Sequence, residues 1–132
     1  MDYVIEYNKI LRYFKILNIW LAEKQRDRSV VSYMKKNGYS RVAIYGMREL
    51  GERLYDELVD GGIEVAYVID QSNAVLGDFL LYKPDDELPY VDLIIVTADY
   101  YYDEIYQRLH SRVDCPITSI SGLLGDAFGA MM

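Results

Sequence analysis

The chain has 132 residues, of which 52% are hydrophobic and 27% charged, so it is long enough for one domain with a buried core and too apolar to be intrinsically disordered. A net charge of −7 argues against binding of nucleic acid, whose polyanionic backbone selects basic proteins. A single cysteine excludes an internal disulfide, and no stretch resembles a transmembrane segment or a signal peptide. We therefore expect a cytoplasmic location.

The first predicted element is a long helix, from Tyr3 to about Lys24, that contains no Pro or Gly. Apolar residues recur along it at alternating steps of four and three, at Tyr3, Tyr7, Ile10, Phe14, Leu17 and Leu21. Val4, Leu11, Tyr13, Ile16 and Trp20 widen this stripe. A helix that is apolar over so much of its circumference is buried on more than one side. We predict that it packs on the domain and also forms the interface of a homodimer; the alternative is a helix packed wholly within one subunit.

Charge is distributed unevenly along the chain. Residues 1–48 carry ten basic and four acidic side chains, whereas residues 49–132 carry four basic and seventeen acidic ones. The basic segment is therefore expected to dock on the acidic body of its own or a neighbouring subunit, unless the two surfaces are separately solvated. A short second helix, from Ser29 as N-cap to about Asn37, completes a predicted N-terminal helical arm over residues 1–38.

The remainder, residues 39–132, alternates between strands and helices. Strands are predicted at 41–45, 63–70, 79–82, 92–97 and 116–120, with helices at 49–60 and 100–110 and an apolar helix or frayed tail at 122–132. This alternation predicts an α/β domain with a parallel sheet of about five strands flanked by helices. Right-handed crossovers favour the strand order 3-2-1-4-5.

A glycine-containing turn follows the first strand, in the run VAIYGMRELG of residues 42–51. In a dinucleotide fingerprint, G-x-G-x-x-G, Gly46 and Gly51 would be the first and third glycines and Arg48 would replace the second. Asp70 ends the second strand, where an acidic side chain holds a ribose. Arg48 either crowds a pyrophosphate or pairs with one of its phosphates. Gly46, Met47, Arg48, Gly51 and Asp70 are thus candidate cofactor-binding residues; alternatively, the glycines serve only the turn.

The carboxyl edge of the predicted sheet, where the glycine turn and Asp70 lie, contains three more candidates. Thr97 ends the fourth strand, Tyr100 begins a run of three tyrosines, and Gln71 follows Asp70. Parallel strands place such positions beside a bound nucleotide, where a ring stacks on the base and Gln71 reaches the ribose. The alternative is that the tyrosine rings pack under the following helix.

The glycine turn, the strand ending in Asp70 and the run VDLIIVTADYYYDEI of residues 91–105 resemble the small Rossmann-like domains of bacterial surface-polysaccharide biosynthesis. The resemblance covers about residues 39–120. It implies binding of NAD(P) or of a nucleotide sugar at Gly46, Gly51 and Asp70, and Arg48 departs from the family pattern. Such domains accompany nucleotide-sugar dehydratases, epimerases, acyltransferases and glycosyltransferases.

Catalysis by this chain alone is not expected. None of the fourteen tyrosines is followed by Lys at the fourth position, as acid–base catalysis in short-chain epimerases requires. The glycines are not followed by the Lys of a phosphate-binding loop, and one His with one Cys forms no closed zinc site. Cys115 near His110 is better explained as a structural cysteine than as a nucleophile.

Three functions remain from the sequence. The first is an accessory module that binds NAD(P) or a nucleotide sugar. The second is a degenerate domain without ligand that serves in oligomerisation or as a scaffold. The third, and weakest, is a methyltransferase-like domain that holds S-adenosylmethionine through the acid at the end of its second strand.

Overall fold

A computed structural model describes residues 2–73 and 77–129. The helices are α1 (Tyr3–Gln25), α2 (Val30–Lys36), α3 (Glu49–Asp60), α4 (Tyr102–Leu109) and α5 (Ile120–Phe128). The strands are β1 (Arg41–Tyr45), β2 (Glu64–Ile69), β3 (Leu81–Tyr82), β4 (Leu93–Val96) and β5 (Ile117–Ser119). A 3₁₀ turn, η1 (Asp99–Tyr101), joins β4 to α4.

The predicted sheet is confirmed. Five parallel strands lie in the order β3-β2-β1-β4-β5, with helices around them and α1 at the N-terminus. All four residues of β4 and the last four of β1 are buried, because parallel strands in the middle of a sheet are covered on both faces.

Several boundaries differ from the prediction for local reasons. β3 is shorter than expected, and Phe79, placed in it by the sequence, instead packs its ring edge-on against Tyr55 at 5.8 Å between centroids. The last helix begins at Ile120 rather than 122, because the Ser119 side chain caps it by accepting the backbone N–H of Gly122. Residues 130–132 of the predicted tail lie outside the described residues.

The two faces of the sheet support two separate apolar cores. Val42 and Ile44 of β1 join one cluster, which also contains buried residues of α1, α2, α3 and α5. Ala43 and Tyr45 point the other way, into a cluster with residues of α4. The large first core therefore lies under the N-terminal helices.

The N-terminal helices dock through buried residues and one carboxylate. Ile16 and Trp20 of α1, and Val30 of α2, are buried in the first core. Glu57 of α3 accepts hydrogen bonds from Trp20 Nε1 (3.0 Å), Ser29 Oγ (2.8 Å) and the backbone N–H of Val30 (3.1 Å). One side chain of α3 thus fixes both helices.

Within the described ranges, no helix combines the length and the apolar character needed to cross a membrane.

Candidate functional site

The glycine turn lies at the carboxyl edge of the sheet, between β1 and α3. Gly46 has φ +98°, a conformation that side-chain-bearing residues avoid, and its N–H donates to the carbonyl of Ile69 at 2.8 Å. A β-carbon on Gly46 would lie 2.8 Å from Thr97 Oγ1. Glycine is therefore required here both by backbone conformation and by space.

Gly51 allows α3 to approach this turn. A β-carbon at Gly51 would overlap the carbonyl oxygen of Gly46 and lie 3.3 Å from Met47 Sδ. Gly51 thus performs the helix-packing role of the third fingerprint glycine, which the fold needs with or without a ligand.

Asp70 is directed at the turn. One carboxylate oxygen accepts the N–H of Met47 at 2.9 Å, and the other accepts the N–H of Ser72 at 2.8 Å. The acid predicted to hold a ribose is therefore half-buried, and both of its carboxylate oxygens already bind the protein backbone, in the turn after β1 and in the segment after β2.

Thr97, directly after the neighbouring strand β4, binds the glycine turn through hydrogen bonds. Its side chain is buried, and Oγ1 lies 2.6 Å from the carbonyl oxygen of Gly46 and 3.1 Å from that of Tyr45. Its backbone N–H also donates to Tyr45. Together with Asp70, Thr97 fixes the turn into one conformation through contacts within the protein.

Arg48 is the charged group at the site that faces solvent. It is the N-cap residue of α3, which has no side-chain cap, so the first N–H groups of this twelve-residue helix are left for water or an anion. The Arg48 side chain is exposed and forms no ion pair or hydrogen bond within the described residues. The structure therefore leaves its guanidinium free at a helix N-terminus, although Glu49 and Glu52 in the first turn oppose an anion there.

The remaining two candidates are arranged differently. Gln71 is exposed, and its backbone carbonyl accepts from Lys83 Nζ at 2.8 Å. The Tyr100 ring packs edge-on against Tyr101 at 5.3 Å between centroids. Burial raises the pKa of Tyr13 in α1, and the nearby backbone of Tyr100 partly offsets the effect. The contacts bring Gly46, Met47, Thr97 and Asp70 together, whereas Tyr100 lies beside α1.

Asp99 is a residue that the sequence prediction missed. It is 2% exposed and accepts from Arg12 Nε at 2.6 Å and from the N–H and Oγ of Ser121 at 2.9 and 3.0 Å. Lys9 lies 5.1 Å above the neighbouring Tyr101 ring. The only sequence signals were an acidic residue just after a predicted strand and a basic residue, Arg12, within the first predicted helix.

The predicted stripe of α1 forms a second candidate surface. All of its members are exposed in the isolated subunit: Tyr3, Tyr7, Ile10, Phe14, Leu17 and Leu21. Beside its C-terminal half, a groove of about 540 Å³ lies between α1 and α3. Trp20, Leu17 and Leu21 line it together with charged residues, mainly of α3.

Among the described residues, neither surface contains a cysteine or a cluster of metal-ligating side chains. Burial raises the pKa of the Cys115 thiol, which opposes formation of a reactive thiolate. His110 stacks on the Tyr106 ring at 5.1 Å between centroids, one helical turn away. The described ranges contain no group of three or more His, Cys, Asp or Glu residues placed to hold a metal ion.

Comparison with protein-family models, with curated proteins and with solved structures finds no match for this chain. Its function must therefore be argued from the two surfaces themselves.

Proposed function

We propose that this chain is a non-catalytic assembly module that forms a homodimer through the outward face of α1. The observation that carries the proposal is the stripe of exposed apolar side chains: Tyr3 is 78% exposed, and Tyr7, Ile10 and Phe14 are each 65% exposed. Single apolar residues on a surface need no explanation, but a contiguous line of them is typical of an interaction site.

The inward contacts of α1 explain why the stripe stays exposed. The helix buries Ile16, Trp20 and Glu23 against its own subunit, which fixes its rotation about its axis. The stripe then lies on the side turned away from the body, where its first four residues are 65–78% exposed, whereas Leu17, beside the groove, is 37% exposed. A helix with two apolar sides thus has one partner inside the subunit and needs a second outside it.

A second copy fits the size and pattern of this surface. With about 150–200 Å² for each fully exposed side chain, the exposed fractions of the six stripe residues amount to roughly 550–740 Å², which approaches the ~800 Å² that each partner of a stable interface buries. The alternating steps of four and three are those of helices that pack on each other by interlocking side chains.

The internal roles of the fingerprint residues also support an assembly module. Gly46 and Gly51 are required by the turn and by helix packing, while Thr97 and Asp70 hydrogen-bond to the turn itself. Each is therefore explained by the fold of the subunit, without a bound nucleotide.

Light scattering after gel filtration tests the proposal. The wild-type chain is expected to elute as a dimer at micromolar concentration, and Phe14→Glu as a folded monomer, because a carboxylate in the interface would be buried without a partner. Asn8→Glu is the matched control: it adds the same charge to an exposed position of α1 outside the stripe and should remain dimeric. A wild-type monomer, even one that binds lipid vesicles, or a dimer unaffected by Phe14→Glu would overturn the proposal.

Nucleotide binding at the glycine turn is the second candidate. It is favoured by the free guanidinium of Arg48 at the uncapped N-terminus of α3, with the Asp70 carboxylate across the turn. The ligand would be NAD(P) or a nucleotide sugar in cytoplasmic surface-polysaccharide metabolism, as the family resemblance implies. S-adenosylmethionine fits less well because it offers no phosphate to Arg48.

Calorimetric titration with NAD⁺ and with a UDP-sugar tests this candidate. Saturable binding should weaken about tenfold or more in Arg48→Ala, since a charge-assisted hydrogen bond to phosphate contributes about 1.5–3 kcal/mol and tenfold corresponds to about 1.4 kcal/mol. Arg53→Ala removes an exposed arginine from the same helix and should leave binding unchanged. Absence of binding at millimolar ligand, or equal binding by the two variants, would contradict this role for Arg48.

A further inference from the structure

We infer that the two α1 helices of the proposed dimer run antiparallel about a two-fold axis at the level of Arg12, with Tyr3 and Tyr7 of each copy seated at the α1–α3 groove of the other. This inference rests on the proposed function and specifies the geometry of the same surface.

The spacing of the stripe is symmetric end to end. Its successive steps are four, three, four, three and four residues, from Tyr3 to Leu21, so the pattern reads the same in both directions. Reversing one helix about the level of Arg12 therefore places every stripe residue opposite a stripe residue of the second copy. A two-fold interface requires such self-complementarity, because the same patch must meet itself.

The reversed alignment also pairs side chains of complementary size. Each pair joins an aromatic residue with an aliphatic one: Tyr3 with Leu21, Tyr7 with Leu17, and Phe14 with Ile10. Large side chains opposite smaller ones interlock at a uniform helix separation. A parallel alignment would instead set tyrosine on tyrosine at one end and leucine on leucine at the other, which holds the helices unequally apart.

The groove of one copy lies where the antiparallel alignment places Tyr3 and Tyr7 of the other copy. It flanks the C-terminal half of α1, with Leu17, Trp20 and Leu21 in its lining and Asp56 and Asp60 of α3 among its charged residues. A tyrosine has an apolar ring and a hydroxyl donor, which match a groove with an apolar part and exposed carboxylates. In a parallel dimer, the tyrosines would lie at the opposite end of the helix, away from the groove.

Cross-linking between engineered cysteines distinguishes the two orientations. Positions 3 and 21 are separated by about 27 Å along one helix, at 1.5 Å per residue, whereas a disulfide requires Cα atoms about 4.4–6.8 Å apart. A bond between these positions must therefore join two chains. One chain carries Tyr3→Cys and the other Leu21→Cys, and both retain the native Cys115, so that oxidised wild-type protein gives the background.

The expected result is a disulfide dimer only when the two variants are mixed, exchanged and mildly oxidised, with neither variant cross-linking alone. An Asn8→Cys chain mixed with Leu21→Cys is the control, since position 8 lies outside the stripe; it should not exceed the background.

Two results overturn the antiparallel arrangement and leave the homodimer intact: cross-linking of Tyr3→Cys with itself, or no cross-link in the mixture although light scattering of the same variants shows a dimer. Failure of the wild-type chain to dimerise overturns the proposed function and this inference with it.

Discussion

Replacing Glu57 by alanine tests how the N-terminal helices are held on the domain. Its carboxylate accepts three hydrogen bonds, from Trp20 Nε1, Ser29 Oγ and the N–H of Val30. Trp20 is 4% exposed and Val30 fully buried, so their donors would lose their partner without gaining water. The ion pair with half-exposed Lys24, at 3.4 Å, adds little by comparison.

The expected loss of stability follows from these three bonds. Each hydrogen bond to a charged acceptor contributes about 1.5–3 kcal/mol, but bonds to one side chain are not additive, so Glu57→Ala should lower the free energy of unfolding by about 3–5 kcal/mol. The stability of Glu57→Gln should lie between those of Glu57→Ala and wild type, because the glutamine amide keeps one acceptor oxygen but turns its NH₂ group toward a donor. Glu64→Ala, which removes an exposed surface pair with Arg41 away from the groove, should change stability by less than about 0.5 kcal/mol.

Urea unfolding followed by two probes measures the effect. Trp20 is the single tryptophan of the chain, so its fluorescence reports the docking of α1, while far-ultraviolet circular dichroism reports the whole fold. We expect Glu57→Ala to unfold at lower urea, or to show red-shifted emission before the main transition. A midpoint equal to that of Glu64→Ala with unchanged emission would refute the assigned role of Glu57.

Three further predictions concern the turn, the amino edge of the sheet and the thiol. Gly51→Ala should lower the free energy of unfolding by about 2–4 kcal/mol, because its new β-carbon overlaps the carbonyl of the turn. Gly38 has φ +79° but open space around it, so Gly38→Ala should lower the free energy of unfolding by only about 1 kcal/mol. Thermal or urea unfolding measures both variants. The backbone N–H groups of Arg41 and Ser40 lower the pKa of Asp92 below its ordinary value of 3.8. The stabilising effect of the carboxylate is therefore present above that pH and is lost as pH falls through the lowered value. The stability difference between wild type and Asp92→Asn should shrink on acidification, and a difference that grows would contradict this. The Cys115 thiol should react with a disulfide reagent at pH 8 more slowly in the folded protein than in urea, and equal rates would show that burial does not raise its pKa.

The sheet was predictable because its signals are local. Short apolar runs separated by glycine turns and by amphipathic helices identify parallel strands, and the handedness of crossovers then restricts their order. The roles of Gly46 and Gly51 followed from their spacing alone. The exposed stripe of α1 was also visible in the sequence, because its four–three spacing is a periodic pattern.

The contacts of the candidate site were less accessible to sequence reasoning. Arg12 and Asp99 are 87 residues apart, and only the packed fold brings them together. The sequence likewise placed Tyr100 beside a base without revealing that its backbone N–H is bound by Tyr13. Partners of polar side chains depend on tertiary distances, which neither periodicity nor composition encodes.

The segment that follows β4 connects the glycine turn to α1, which carries the apolar stripe. Thr97 holds the glycine turn, and two residues later Asp99 holds Arg12 of α1, with the Asp99 N–H bonded to the Thr97 carbonyl at 2.8 Å. If a nucleotide binds at the turn and shifts it, the support of α1 in the proposed dimer therefore shifts as well. Thermodynamic reciprocity then requires that the factor by which this ligand changes the dimerisation constant equals the factor by which dimerisation changes its affinity.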